Sequence, residues 1–197
     1  MARPRAFDET EVLLQALRVF WAKGFEATTL ADLLDATGLS KSSLYAAFGG
    51  KRELFLAAFA AYRDERRRRL HAALTQAPSG RAALEAYFAK VVAHAQSGEK
   101  IFGCMTCNEA VEFGPHDEAV QHLVHDDFRN MEAAFAEALA RGVADGSLAP
   151  CPLGEQTRAR LLVVHLLGLQ TLARAKADPA VLDDAVALLF ATVLPSQ

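Results

Sequence analysis

The chain has 197 residues, is 52% hydrophobic, and carries 21 Lys/Arg against 24 Asp/Glu for a net charge of −3. That length can bury a real core, as one domain or two small ones. The mild acidity excludes a protein that coats nucleic acid over its whole surface. Charges interrupt every apolar run, so no stretch approaches the roughly 20 apolar residues of a membrane span. The opening Met1-Ala-Arg-Pro-Arg-Ala-Phe-Asp has no apolar signal core. Three cysteines are an odd count and do not suggest a disulfide framework. The expectation is a soluble, cytoplasmic protein that does not engage a membrane.

Apolar residues recur at spacings of three and four, with no hairpin signal and no alternation of strands and helices, so the reading is all-α with about nine helices. The first helix is predicted from a cap at Asp8 to Lys23, with Leu13, Leu17 and Phe20 on one face and Gly24 as its stop. Thr28 or Thr29 caps a second helix, with Asp32 in the capping-box position of Thr29. Gly38 breaks it, and Ser40 caps a third helix that ends near Gly49-Gly50. A long fourth helix runs from about Lys51 to Gln76, and Pro78-Ser-Gly80 is the clearest break in the chain. Further helices are predicted near 81–96, 104–113, 117–145, 153–176 and 179–193, the last announced by Asp178-Pro179. The predicted division is 1–50, a three-helix head with the start of the fourth helix, and 51–197, a helical effector-binding and dimerisation domain.

The segment Thr28-Thr-Leu-Ala-Asp-Leu-Leu-Asp-Ala-Thr-Gly-Leu-Ser-Lys-Ser-Ser-Leu-Tyr-Ala-Ala-Phe48 reads as a helix-turn-helix. Such a unit needs a supporting helix, a sharp glycine turn and a second helix with a slim exposed face. Leu30, Leu33 and Leu34 supply the first apolar face, Gly38-Leu39 the turn, and Leu44 and Phe48 the inward side of the second helix. Lys41, Ser42, Ser43 and Tyr45 are left outside, where lysine and serine can bond base edges or phosphates and tyrosine a phosphate. The capped N-termini at Thr28/Thr29 and Ser40 are anion sites, and Lys51 can clamp a further phosphate. Arg3 and Arg5 precede the first helix on an arm of the kind that reaches DNA. Residues 1–52 hold seven Lys/Arg and six Asp/Glu, a balance of +1, so one head alone is expected to bind weakly.

Phe20-Trp-Ala-Lys-Gly-Phe-Glu-Ala-Thr-Thr-Leu30, with Thr37-Gly-Leu-Ser-Lys-Ser-Ser-Leu-Tyr-Ala-Ala-Phe-Gly-Gly-Lys-Arg-Glu-Leu-Phe55, resembles the N-terminal signature of TetR/AcrR-family transcriptional regulators. The resemblance is nearly continuous over residues 7–62; beyond that, only helix count and lengths agree. It implies a homodimeric regulator, usually a repressor, that leaves a palindromic duplex operator when a small ligand binds. On the matching positions it implies phosphate contacts from Thr28, Thr29, Tyr45 and Lys51, and base reading from Lys41 to Ser43.

In the remainder, Phe102, Met105, Phe113, Phe128 and Met131 form the expected pocket wall, with Cys104, Cys107, Asn108, Glu109 and Glu112 as polar or reactive candidates. Cys104-Met-Thr-Cys107 puts two sulfurs on one helical face. Cys104 follows Gly103 at a helix start, where thiols are activated. The pair is therefore either an oxidant or electrophile sensor or ordinary packing, and family members often carry a Gly-Cys pair here. His116, His122 and His125 lie among acids, but exposed helix faces of this composition are common and no metal is expected. The last two helices are apolar over much of their circumference, which suggests a four-helix dimer interface through Leu162, His165, Leu166, Leu169, Val186, Leu189 and Phe190. His165 reads equally as a satisfied core histidine.

The rival class is an all-helical CxxC thiol oxidoreductase. Such enzymes resemble a Cys-x-x-Cys-x-x-x-His pattern, but the position four after Cys107 is Val111, so the proton-relay histidine is missing. No catalytic constellation and no cofactor motif stand out, and the expected protein is not an enzyme.

Overall fold

The computed structural model describes residues 7–114 and 116–194. Among them lie nine α-helices and no strand. They are α1 (Glu9–Lys23), α2 (Leu30–Thr37), α3 (Lys41–Phe48), α4 (Lys51–Thr75), α5 (Gly80–Ala95), α6 (Met105–Glu112), α7 (Glu118–Ala144), α8 (Glu155–Arg174) and α9 (Pro179–Val193). The chain forms two compact units, Met1–Arg66 and Arg67–Gln197, with α4 passing from one into the next.

In the first unit local signals place the ends of the elements. Asp8 accepts from the Thr10 N–H to cap α1, Thr29 caps α2, and Ser40 caps α3. Gly38 closes α2 at φ 67, the left-handed region where a side chain is costly. Val12, Ala16, Leu17 and Phe20 of α1 meet Leu33, Leu39 and Leu44 in the buried core. The start of α4 adds Leu54, Phe55, Ala58 and Phe59. Phe20 and Phe25 pack edge-on against Phe55 with ring centroids 5.3 and 5.1 Å apart, the favoured aromatic geometry. The head is therefore larger than 1–50: its core requires the first turns of α4, and the compact unit ends at Arg66.

The second unit is a helical bundle in which α7 packs on α5, α6 and α8, and α9 packs on α5 and α8. Phe88 and Phe135 stack with centroids 5.9 Å apart in its core. The turn into α5 is fastened to the end of α7. Asp145 accepts from the Gly80 N–H, and Arg141 donates to the carbonyls of Leu74, Thr75 and Ser79. A Cβ at Gly80 would lie 2.2 Å from the Gly142 nitrogen, so only glycine allows this approach.

One expectation is corrected here. Leu162, Leu166, Leu169, Val186 and Leu189 are buried in the protomer's own core and cannot supply a dimer surface. Helices α8 and α9 are apolar on two sides. The bundle takes the side carrying those residues and leaves Leu161, Val164, Leu172, Val181 and Leu188 exposed. His165, half-buried, pairs through Nδ1 with the Leu161 carbonyl at 3.0 Å, and Phe190 is partly buried against the core.

Candidate nucleic-acid interface and effector site

Helix α3 is built to present a small polar edge. Its underside is fixed by fully buried Leu44, and Leu39 in the turn is buried beneath it. The Ser40 hydroxyl accepts the Ser43 N–H at 3.1 Å and pairs with the Ser42 and Ser43 hydroxyls at 3.0 and 2.8 Å. Lys41 is exposed and Tyr45 is 48% exposed, an unusual position for an aromatic ring on a supporting helix. Three hydroxyls, an ammonium and a phenol thus line one edge about as wide as a DNA groove admits. Lys51 begins α4 with its ammonium 4.3 Å from the Phe25 ring centroid, which orders a side chain that is still partly exposed.

The two threonines before α2 have different roles. Thr28 is 1% exposed, and its hydroxyl donates to the Gly24 carbonyl at 2.6 Å. It locks the end of α1 and cannot touch a phosphate, which corrects the expectation that both residues contact DNA. Thr29 is exposed and closes a capping box: the Asp32 N–H donates to its hydroxyl, and its own N–H donates to the Asp32 carboxylate at 2.9 Å. Lys23 joins the same carboxylate at 2.5 Å. The Lys23 contact, followed by the bonds from Thr29, holds the Asp32 carboxyl down to about 2, so it is ionised at any working pH. Sequence spacing did not reveal the link from Lys23 to Asp32, because the two residues lie on different helices. Arg3 and Arg5 lie outside the described residues.

In the second unit the expected pocket wall falls into two groups. Cys104, Met105, Phe113 and Met131 are buried, whereas Phe102, Cys107, Asn108 and Phe128 are partly accessible. Cys104 caps α6 at 2% exposure, and none of the three cysteines is in a disulfide. The inner face of α6 is unexpectedly polar. The Thr106 hydroxyl donates to the Asp127 carboxylate at 2.5 Å, with both groups buried. One turn later Glu109 is 1% exposed, and its Oε2 has no hydrogen-bond partner. Burial, and then the neighbouring Glu112 charge, push its carboxyl up to about 8, against the opposing pull of Arg174. Gln170, one turn before Arg174 on α8, also buries an unpartnered Oε1. Sequence reading named Glu109 as a polar candidate but missed Thr106, Asp127 and Gln170, which only the packing of α6, α7 and α8 brings into view. His116, His122 and His125 are exposed, and no three ligand side chains converge as a metal would require among the described residues.

The chain matches known proteins along most of its length. Residues 12–58 fit the family described as bacterial regulatory proteins, tetR family, and residues 80–189 fit the tetracyclin repressor-like C-terminal domain. It is 32% identical over 186 residues to the uncharacterized HTH-type transcriptional regulator YezE of Bacillus subtilis, covering 94% of this chain and 96% of that protein. It is 32% identical over 149 residues to the HTH-type transcriptional repressor ComR of Escherichia coli, covering 75% of this chain and 71% of that protein. A cysteine mutant of the TetR-family regulator CifR, solved with 26bp double-strand operator DNA, superposes with a TM-score of 0.80 at 34% identity. That match covers 94% of this chain and 98% of the other. With both of its units matched in order and the α3 edge laid open, the chain belongs to the TetR family and is a DNA-binding transcriptional regulator.

Proposed function

We propose that this protein is a homodimeric, cytoplasmic repressor that holds a palindromic operator through its paired α3 edges and is released by a small ligand bound in the second unit. The observation that carries the reading is the α3 edge. Lys41, Ser42, Ser43 and Tyr45 stand outside a helix whose underside is locked by Leu44 and whose start is capped by Ser40. Thr29 and Lys51 flank that edge as phosphate contacts. The protein acts by differential binding and not by turnover. Repression by ComR and the operator complex of CifR support this mode of action. Among the described residues no helix is long and apolar enough to cross a membrane.

The thiol readings are not carried forward. Cys104 is closed to solvent, and a sensor thiol must be reachable. A DNA fragment from the gene's own upstream region tests the proposal. Lys41→Ala is expected to weaken specific binding about tenfold or more, and Tyr45→Phe several-fold, on the scale of lost base and phosphate contacts. Unchanged affinity in both variants, measured by fluorescence anisotropy at fixed salt, would overturn the assignment of the α3 edge.

A further inference from the structure

Buried polar atoms in folded proteins nearly always find a partner, so those that do not call for an explanation. The second unit holds two such atoms, both oxygens, on facing parts of the structure. One is Oε2 of Glu109 on the inner face of α6, and the other is Oε1 of Gln170 on α8. The loop leading into α6 closes on that part of α8. A Cβ at Gly103 would lie 3.2 Å from Cδ of Arg174 and 3.4 Å from the Gln170 carbonyl. The ionisable groups here are Glu109 and Glu112 on α6, Asp127 on α7 and Arg174 on α8, three carboxyls against one guanidinium. Such a setting repels an anion and leaves acceptors for a donor. Around it stand Phe102, Met105 and Phe113, which suit an apolar body.

We infer that the effector is a small amphipathic amine, its ammonium held by Glu109 and Gln170 and its apolar part by the aromatic and methionine side chains of α6 and its leading loop. This inference rests on the ligand-release reading above and names the chemical class it requires. An ammonium has only donors to offer, so it satisfies both unpartnered oxygens, which an alcohol does weakly and a carboxylate not at all. The proton balance is explicit. Burial keeps Glu109 protonated at neutral pH. Binding of an alkylammonium ionises it, and the carboxyl proton passes to the buffer. The resulting ion pair is enclosed, where charge-assisted hydrogen bonds are strongest.

The test uses the full-length protein, with n-alkylamines from butyl to octyl as probes and the alcohols and carboxylates of equal length as controls. Calorimetry of protein and probe alone is expected to show saturable amine binding, at least about tenfold tighter than the matched alcohol. It should also show heats that change with the ionisation enthalpy of the buffer. Glu109→Gln is expected to remove both the amine preference and the buffer dependence, and Gln170→Met to weaken amine binding a few-fold. The inference is overturned if no amine is preferred over its alcohol, or if the preference persists in Glu109→Gln and Glu109→Ala. Operator affinity without any probe is measured separately. Its absence would defeat the repressor reading while leaving the amine site to stand or fall on the calorimetry.

Discussion

Thr28 and Glu109 show how burial decides what a polar side chain does. The Thr28 hydroxyl is enclosed and bonded to the Gly24 carbonyl, so its role is to fasten the chain between α1 and α2. Thr28→Val is expected to cost about 1–2 kcal/mol, because it leaves that carbonyl unpaired in a buried place. Thermal or denaturant unfolding measures that loss, and operator affinity per folded dimer should stay unchanged. Thr29→Val, by contrast, should lower that affinity. Glu109 has the opposite problem: a carboxyl without a full set of partners. Its folded pKa lies at about 8, above the unfolded value of 4.5, so protonation favours the native state. The protein is therefore expected to lose ~3 kcal/mol of stability from this group between pH 5 and pH 8, with the decline complete above the folded value. Arg174 opposes the shift, and Glu112 reinforces it. Glu109→Gln should flatten the decline and unfold at higher temperature than wild type at pH 8, with the gap narrowing toward pH 5. Parallel melting curves for the two proteins across that range would refute this account.

At the scale of elements, stability resides in places where backbones meet. The start of α5 rests on α7 so closely that a methyl group at Gly80 would fall 2.2 Å from the Gly142 nitrogen and 2.3 Å from the Ala138 carbonyl oxygen. Those neighbours are backbone atoms and cannot swing aside. Gly80→Ala is expected to destabilise the second unit by about 3 kcal/mol, at the upper end of the cost of overpacking, and denaturant titration of the purified protein measures it. The Arg141 contacts to three carbonyls at the α4–α5 turn depend on the same approach. Helix α3 shows a different economy. It has eight residues and one fully buried side chain, Leu44, so it holds its shape through caps at Ser40 and Gly49 and through what lies beneath it. A short helix without its own core is free to use its outer side chains for a partner.

For the whole molecule, the decisive surface is the outer side of α8 and α9. Val164 and Leu188 are 64% and 65% exposed, with Leu161, Leu172 and Val181 also open. A protomer gains little from such residues, and a second copy covers them in a four-helix arrangement. Val164→Glu together with Leu188→Glu is expected to give a folded monomer, because neither side chain is part of the core. Light scattering after gel filtration should report half the mass, and operator affinity should fall by more than about tenfold once two heads no longer act together. A dimer of unchanged mass would place the interface elsewhere.

The sequence alone determined where helices begin and end, because caps, glycine stops and Pro179 at the first helical position act over three or four residues. It also determined the slim edge of α3, since Leu44 and Phe48 lie one turn apart and leave Lys41 to Ser43 and Tyr45 on the other side. Only the tertiary structure decided which of two adjacent threonines faces outward, and that the head's core extends into α4. It alone decided which apolar side of α8 and α9 the protomer keeps for itself. A helix apolar on both sides offers two equivalent faces, and burial is assigned by the helices packed against it, which periodicity does not contain. The same holds for Glu109: its spacing names it as polar, and the crowding of α6 between α7 and α8 makes it a buried carboxyl with an oxygen left to satisfy.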